Sequence, residues 1–438
     1  MKKINKLLLL IVFIMSLQLR IYASENINSS ISIKINDLFE LIKKNNIEII
    51  NKRENLKYTK YQIDEVKSVS RPDIKFETNM TRYKNETFNE PGPFNNYDYK
   101  ISFIQPLFTY GKISSAIKAS KHYYKNAEHD YNITEKDFIL NAVQLYYTIK
   151  LLDHQKNILL STEKTYFEHL ENTKIRFEAG DVTNVDYLSA KVNYEQIKPQ
   201  IISVDNKIYN LKNELKLLLN IDMNQNIIII DDIKISNIDI TKNNINFFES
   251  ALKNDERIAK LEESIKILEL QKTIAKNSLR PSINLIANYG GSADDLGSML
   301  KKESENALIG INLTFPLFDG YKSKNQVAEF EIQIQSNIRS LNLMRNTLKK
   351  DIENKLNDID HYKKQIKSNE LLLEQSEEAF RISNENYKAG ASINLDVIES
   401  EKNRLTARLA LIESKYNYLI CIYQLKRLAG IDLSLNEF

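Results

Sequence analysis

The chain has 438 residues, 61 basic and 58 acidic side chains, one cysteine, ten glycines and seven prolines. Charge this evenly balanced gives no basic footprint for nucleic acid. A lone cysteine, Cys421, excludes an intrachain disulfide and a cysteine metal cluster, and so few glycines and prolines disfavour a fold of many short connections.

Chain order begins with a targeting segment. Basic MKKINK precedes LLLLIVFIMSLQL, thirteen residues that are too short for a typical spanning helix. Small residues in IYAS suit signal-peptidase cleavage after Ala23 or Ser24, so 1–24 reads as a signal peptide. An uncleaved anchor is the other reading. Cleavage removes Lys2, Lys3, Lys6 and Arg20 and takes the formal charge from +3 to −1. No later segment reaches the roughly 18 apolar residues of a spanning helix.

The first repeat is expected over 25–221. A helix at about 35–69 leads to a strand at 71–81, in which Pro72, Ile74, Phe76, Thr78 and Met80 alternate with Asp73, Lys75, Glu77 and Asn79. A turn-rich loop follows at 85–96. The next strand, 97–106, alternates Tyr97, Tyr99, Ile101 and Phe103 with Asp98, Lys100 and Ser102. Such period-2 alternation gives one apolar and one polar face. It fits a tilted strand of a membrane barrel, and equally a half-buried soluble sheet. Pro106 marks the joint into a helix expected at 110–177. There Phe138, Ala142, Leu145, Ile149 and Leu152 are spaced as a coiled-coil seam. RFEAG ends that helix at Gly180, a residue suited to a left-handed helix terminus. A second helix is expected at 183–219, kinked at Pro199.

A non-helical insertion is expected at 222–245. The second repeat, 246–431, then runs through a helix at 246–278, strands at 281–289 and 308–316, the joint at Pro316, and helices at 321–387 and 393–428. Residues 432–438 form a tail. In the long helix Ile352, Ile359, Ile366 and Leu373 recur by sevens, and NYKAG ends it at Gly390.

The halves superpose at 210 residues. Gln105-Pro106-Leu107-Phe108 faces Phe315-Pro316-Leu317-Phe318, Ala179-Gly180 faces Ala389-Gly390, and Asn184 and Asp186 face Asn394 and Asp396. A helix of about 65 residues spans roughly 100 Å at 1.5 Å per residue. If the strands enter lipid, four of them leave open edges, at several kcal/mol for each unpaired backbone group. The chain then has to oligomerise in a ring; two, three or four copies would give eight, twelve or sixteen strands.

The paired R-P-x-I strand starts, the paired P-L-F joints and the paired A-G turns with a downstream N-x-D resemble the TolC family of outer-membrane efflux channels. The resemblance covers nearly all of the mature chain. It implies a mainly α fold with membrane β: a long antiparallel coiled-coil helical barrel, with four strands per chain in a shared 12-stranded barrel of a homotrimer. On the residues, neither a G-x-S-x-G elbow nor a phosphate-cradling glycine loop is present, so no enzymatic activity and no cofactor are expected. The resemblance implies an exit duct in the outer membrane, extending into the periplasm and passing substrates of a tripartite efflux pump or type I secretion system. The partners would be a periplasmic adaptor, an inner-membrane transporter and outer-membrane lipid. Asp186 and Asp396 take the positions of an acidic periplasmic aperture, with Glu399 one helical turn later. Tyr387 matches a tyrosine of the adjoining network, and Ser392 stands where some members carry a locking arginine. Gly180 and Gly390 would be hairpin tips for adaptor docking.

Other readings stay open on the residues alone. Asp186 and Asp396 also suit helix N-termini as caps. The five histidines read as solvated, and no pair has the H-E-x-x-H form. A secreted coiled-coil structural or adhesive protein with a soluble sheet, or a pore-forming toxin, would share the alternation.

Overall fold

The structure, a computed structural model, describes residues 30–85, 92–230 and 246–433. The expected signal peptide, the loop tip 86–91, residues 231–245 of the expected insertion and the last five residues lie outside that range. The elements in chain order are β1 (Ser30–Ile33), α1 (Ile35–Asn45), α2 (Ile47–Ser68), β2 (Asp73–Asn85) and β3 (Gly92–Phe108). They continue with α3 (Lys112–Glu178), α4 (Asn184–Leu218), β4 (Asn226–Ile229), α5 (Phe247–Asn254) and α6 (Glu256–Lys276). The last are β5 (Ser282–Ala293), a 3-10 turn (Lys302–Ser304), β6 (Glu305–Thr314), α7 (Lys322–Lys388) and α8 (Asn394–Leu428). The long helices α3 and α7 have 67 residues each.

Two expected helices are each broken once. The stretch 35–69 divides into α1 and α2 at Asn46, and 246–278 divides into α5 and α6 at Asp255. Asn46 leaves the helical region at φ −65° and ψ 124°. Its Oδ1 accepts the Ile49 N–H at 3.1 Å, which caps α2, and its Nδ2 donates to the Leu218 carbonyl at 2.8 Å. Asp255 likewise accepts the Arg257 N–H at 2.8 Å and starts α6. A short polar side chain that bonds the backbone two or three residues ahead replaces a helical hydrogen bond. Asn46 and Asp255 also stand 209 residues apart, so the break itself is repeated. Pro199 lies inside α4, which is helical on both sides of it.

The chain forms two compact units. One comprises residues up to Ile50, Thr134–Lys253 and Leu348 onward; the other comprises Asn51–Ile133 and Asn254–Thr347. In the first, β1 pairs in parallel with β4 through Ile31 and Ile227. The seam on α3 is buried at Ala142, Leu145, Ile149 and Leu152, and that on α7 at Ile352 and Ile359. The sevens continue past the expected Leu373 to buried Phe380 and Tyr387.

The second unit holds a four-stranded antiparallel sheet in the order β2–β3–β5–β6. Its register joins like to like. Ile74 faces Phe103 and Phe76 faces Ile101; Ile101 in turn faces Tyr289, and Phe103 faces Ala287. Leu285 and Ala287 then face Ile311 and Ile309. Directly opposed residues share a face, so one apolar surface runs across all four strands. The reverse side carries Lys75 against Ser102, Glu77 against Lys100 and Asn79 against Asp98, and is interrupted by Ile104, Ile286 and Leu308. Lys100 pairs with Glu77 at 3.1 Å, and Asn79 donates to Asp98 at 3.0 Å.

The two strand-to-helix joints are one turn made twice. Lys112 N–H bonds the Thr109 carbonyl at 3.1 Å, and Lys322 N–H bonds the Asp319 carbonyl at 3.4 Å. Tyr110 and Gly111, and again Gly320 and Tyr321, have positive φ. Two consecutive left-handed residues closed by such a bond make a type I′ turn. Pro106 lies within β3, where the pairing with β5 shifts between Pro106 and Phe108. A ring without an N–H fits such an irregularity. Pro316 lies just beyond β6.

Three histidines are not the solvated side chains the sequence suggested. His122 Nδ1 lies 2.5 Å from Glu263, and His129 Nδ1 lies 2.7 Å from Glu256. Each histidine on α3 thus meets a carboxylate on α6 one heptad from the next pair. His169 is buried. Polar stretches of a helix become seams when another polar helix packs there, which one helix's sequence does not reveal.

Asn46→Ala removes both the α2 cap and the bond to the Leu218 carbonyl. We expect a loss of about 2 kcal/mol, read as a lower midpoint in denaturant unfolding, with Asn46→Asp recovering the cap alone.

Candidate functional site at the hairpin turns

Each long helix ends in the same way. Gly180 N–H bonds the Phe177 carbonyl at 3.0 Å, and Asp181 N–H reaches back to Arg176 at 2.8 Å. Gly390 N–H bonds Tyr387 at 3.0 Å, and Ala391 N–H reaches Asn386 at 2.8 Å. These are Schellman closures, which need a left-handed residue. Gly180 and Gly390 supply it at φ +82° and +76°. A side chain at either position would meet no neighbouring atom, so backbone conformation alone requires glycine there.

The chain then turns into α4 and α8, and both aspartates sit in the first turn. Asp186 Oδ2 accepts the Thr183 N–H at 3.0 Å and the Thr183 hydroxyl at 2.7 Å, while Thr183 Oγ1 accepts the Asp186 N–H at 3.2 Å. This is a capping box. Asp396 Oδ2 accepts the Ser392 hydroxyl at 3.0 Å and the Ile393 N–H at 3.4 Å. Within a single chain both carboxylates are helix caps, stabilised by the positive end of the helix dipole. Ser392, where the resemblance puts an arginine in some members, here holds Asp396 with its hydroxyl. Glu399 is exposed one turn further on.

Behind the caps lies a buried network that joins the two hairpins. Asn394 Nδ2 donates to the Asp186 carbonyl at 3.2 Å, and its Oδ1 lies 2.6 Å from His169 Nε2. The Thr173 hydroxyl bonds the His169 carbonyl at 2.8 Å and the Tyr387 hydroxyl at 3.1 Å. Arg176 donates to the Tyr387 carbonyl at 2.9 Å and stands 4.7 Å over its ring. The His169 and Tyr387 rings are 5.0 Å apart. Tyr387 is 2 % exposed and packs in a cluster with Phe380 and Val397. Burial lowers the pKa of His169, and the bond with Asn394 opposes that shift.

Two turns along α8 lies an ionic core. Glu401, 1 % exposed, pairs with Arg404 at 2.5 Å, and Arg404 stands 3.7 Å over Phe380. Burial raises the carboxyl pKa of Glu401 against the opposing pull of Arg404, and burial pushes the Tyr166 phenol up to about 12. Among the described residues no group of three or more His, Cys, Asp or Glu could hold a metal.

The structure therefore brings Asp186, Asp396, Tyr387 and Ser392 to the two hairpin ends, with Gly180 and Gly390 at the turns. Glu399 lies nearby without a place in the network described. Sequence reading missed His169, Thr173 and Arg176, and marked Asn394 only as the repeat match of Asn184. The α7 sevens lead to Tyr387. On α3, sevens from Leu152 lead through Leu159 and Tyr166 to Thr173, one turn beyond His169. Extending both seams was the available signal.

Gly390→Val puts a β-branched residue where φ must be positive. We expect a loss of about 1–2 kcal/mol and faster proteolytic nicking at 388–392, with Gly390→Asn close to wild type.

The Outer membrane efflux protein family model matches residues 38–220 and again 248–431, so its two matches begin 210 residues apart. The Outer membrane protein TolC of Vibrio cholerae is 20% identical over 333 residues, which cover 75% of this chain and 76% of that protein. The Alkaline protease secretion protein AprF of Pseudomonas aeruginosa is 20% identical over 355 residues, covering 78% of this chain and 72% of the relative. In structure, the Campylobacter jejuni CmeC outer membrane channel superposes with a TM-score of 0.81 at 20% identity, over 92% of this chain and 87% of that one. The fold is that of these channels, mostly helical with a small sheet and a duplicated half. With the family model matched across both repeats, this chain belongs to the Outer membrane efflux protein family.

Proposed function

We propose that this chain is one protomer of an outer-membrane channel, the exit duct of a tripartite efflux pump or type I secretion system. The observation that carries the reading is the sheet: one apolar face runs unbroken across β2, β3, β5 and β6, and the two outer strands each have an open edge. Large apolar residues stand exposed on it, Phe76 at 67 % and Ile311 at 72 %. Lipid suits that face, and lipid tolerates no open edge. The strands alternate in direction, so β6 of one copy meets β2 of the next antiparallel, and a ring closes by repeating one contact. Three copies, the number the family resemblance implies, make twelve strands.

Family membership supports a conduit rather than an enzyme, and the adhesive-protein alternative gains nothing from the relatives. Named relatives include both a protease secretion protein and pump components such as the Probable efflux pump outer membrane protein TtgC of Pseudomonas putida. Both cargo classes therefore fit. In the proposed assembly Asp186 and Asp396, repeated around the ring, form an acidic aperture that favours cations, with exposed Glu399 one helical turn further on and Tyr387 and Ser392 holding its helices. The Gly180 and Gly390 turns, flanked by exposed Val185, Leu188, Ile393 and Leu395, are the surface offered to a periplasmic adaptor, which links the duct to an inner-membrane transporter. Pro106 and Pro316 mark where each half leaves the sheet for its long helix.

The test is the native mass of the full chain extracted in mild detergent from outer-membrane fractions, followed by conductance in planar bilayers. Three chains per particle and discrete conductance steps are expected; a soluble monomer would overturn the reading. Asp396→Ala is expected to raise conductance and weaken cation selectivity. Unchanged conductance and selectivity would leave Asp396 as a helix cap only.

A further inference from the structure

The two hairpins are tied by a chain of hydrogen bonds with only one consistent direction. The Asp186 carbonyl is an acceptor only, so Asn394 must turn its Nδ2 toward it. That leaves Asn394 Oδ1, again an acceptor only, facing His169 Nε2 at 2.6 Å. His169 must therefore carry its proton on Nε2, and Nδ1 is the unprotonated nitrogen of a neutral ring. A second proton would charge an imidazole that is 7% exposed. The groups around it offer a cation little relief. From α7 it meets the Tyr387 ring, over which Arg176 of α3 already places a guanidinium at 4.7 Å. From α8 it meets the neutral amide of Asn394. From α4 the Asp186 carbonyl meets the far side of the Asn394 amide, and the Asp186 carboxylate is bonded to Thr183.

We propose that His169 is a proton-sensitive positioning residue: neutral and buried, it donates to Asn394 and through it holds the first turns of α4 and α8; a proton added at Nδ1 leaves that bond in place, and the cost of keeping the resulting cation buried lets the turns part. Asn394 is the first residue of α8 and lies two residues before Asp396; the carbonyl it binds belongs to Asp186 itself. The latch thus acts on the two acidic turns together. Thr173, Tyr387 and Arg176 keep their own bonds when it opens, so release is confined to the hairpin ends.

The sign follows from burial. His169 titrates below its ordinary value while latched and near that value, about 6.5, when exposed. The latched state is fully favoured above pH about 6.5 and weakens as pH falls below it. One such group shifts the balance by at most about tenfold per pH unit.

The conductance part of the test rests on the channel reading; the exchange part does not. Hydrogen exchange of the 184–188 and 393–397 amides, corrected for intrinsic rates, is compared at pH 7.5 and 5.5 for the full chain. Wild type is expected to lose protection by up to about tenfold at the lower pH. His169→Gln, which can still donate but does not titrate, is expected to hold protection at both. Asn394→Ala and His169→Ala are expected to be low at both. Conductance of the same proteins should rise on acidification in wild type and stay flat in His169→Gln. The proposal is overturned if His169→Gln loses protection as wild type does, or if Asn394→Ala keeps wild-type protection at pH 7.5. Absent conductance with the expected exchange pattern would sink the channel reading and leave the latch standing.

Discussion

An unpaired backbone group in hydrocarbon costs several kcal/mol, and the β2–β3–β5–β6 sheet ends in two rows of them. A sheet with one apolar and one polar face could cover a soluble core, but this one leaves its apolar residues exposed on the protomer. In the proposed assembly a closed ring of copies satisfies both the face and the edges. Everything else in the proposed assembly follows from that closure. In that assembly each copy sends its chain through the sheet and back.

Duplication is the economical way to do so. Each half contributes a hairpin of strands and a hairpin of helices, joined by the same left-handed pair closed by the same backbone bond. The residues exchange order, Tyr110-Gly111 in one half and Gly320-Tyr321 in the other, while the conformation holds. Thr109 and Asp319 both receive the N–H four residues on, at 3.4 and 2.9 Å. Different side chains thus meet one geometric demand, which is why the repeat survives at low identity between the halves.

The hairpin ends are where the halves differ. Thr183 caps α4 with its hydroxyl, whereas Ile393 cannot, and Ser392 supplies the bond to Asp396 instead. Asn184 and Asn394 occupy equivalent positions, yet Asn394 is buried and reaches across to the first hairpin. The cation of this network is Arg176, donated from α3 rather than from the turn after α7. A carboxylate that caps a helix can also face a pore, because a capping box uses one side of the carboxylate and leaves the other to solvent.

The sequence by itself determined the four strands of the main sheet, the long helices and their order, but not the short β1–β4 pair. Period-2 alternation marked the four strands, since each residue's face follows from its position alone, and sevens marked the seams down to Leu373. It also determined the duplication and the glycines at both turns. Only the tertiary structure decided the breaks at Asn46 and Asp255, because a polar residue within a helical stretch is compatible with continuation until a partner such as the Leu218 carbonyl takes its side chain. Only the tertiary structure decided that His169 is buried rather than solvated. Its partner lies 225 residues away, and no local pattern specifies which residue of one helix arrives beside which residue of another.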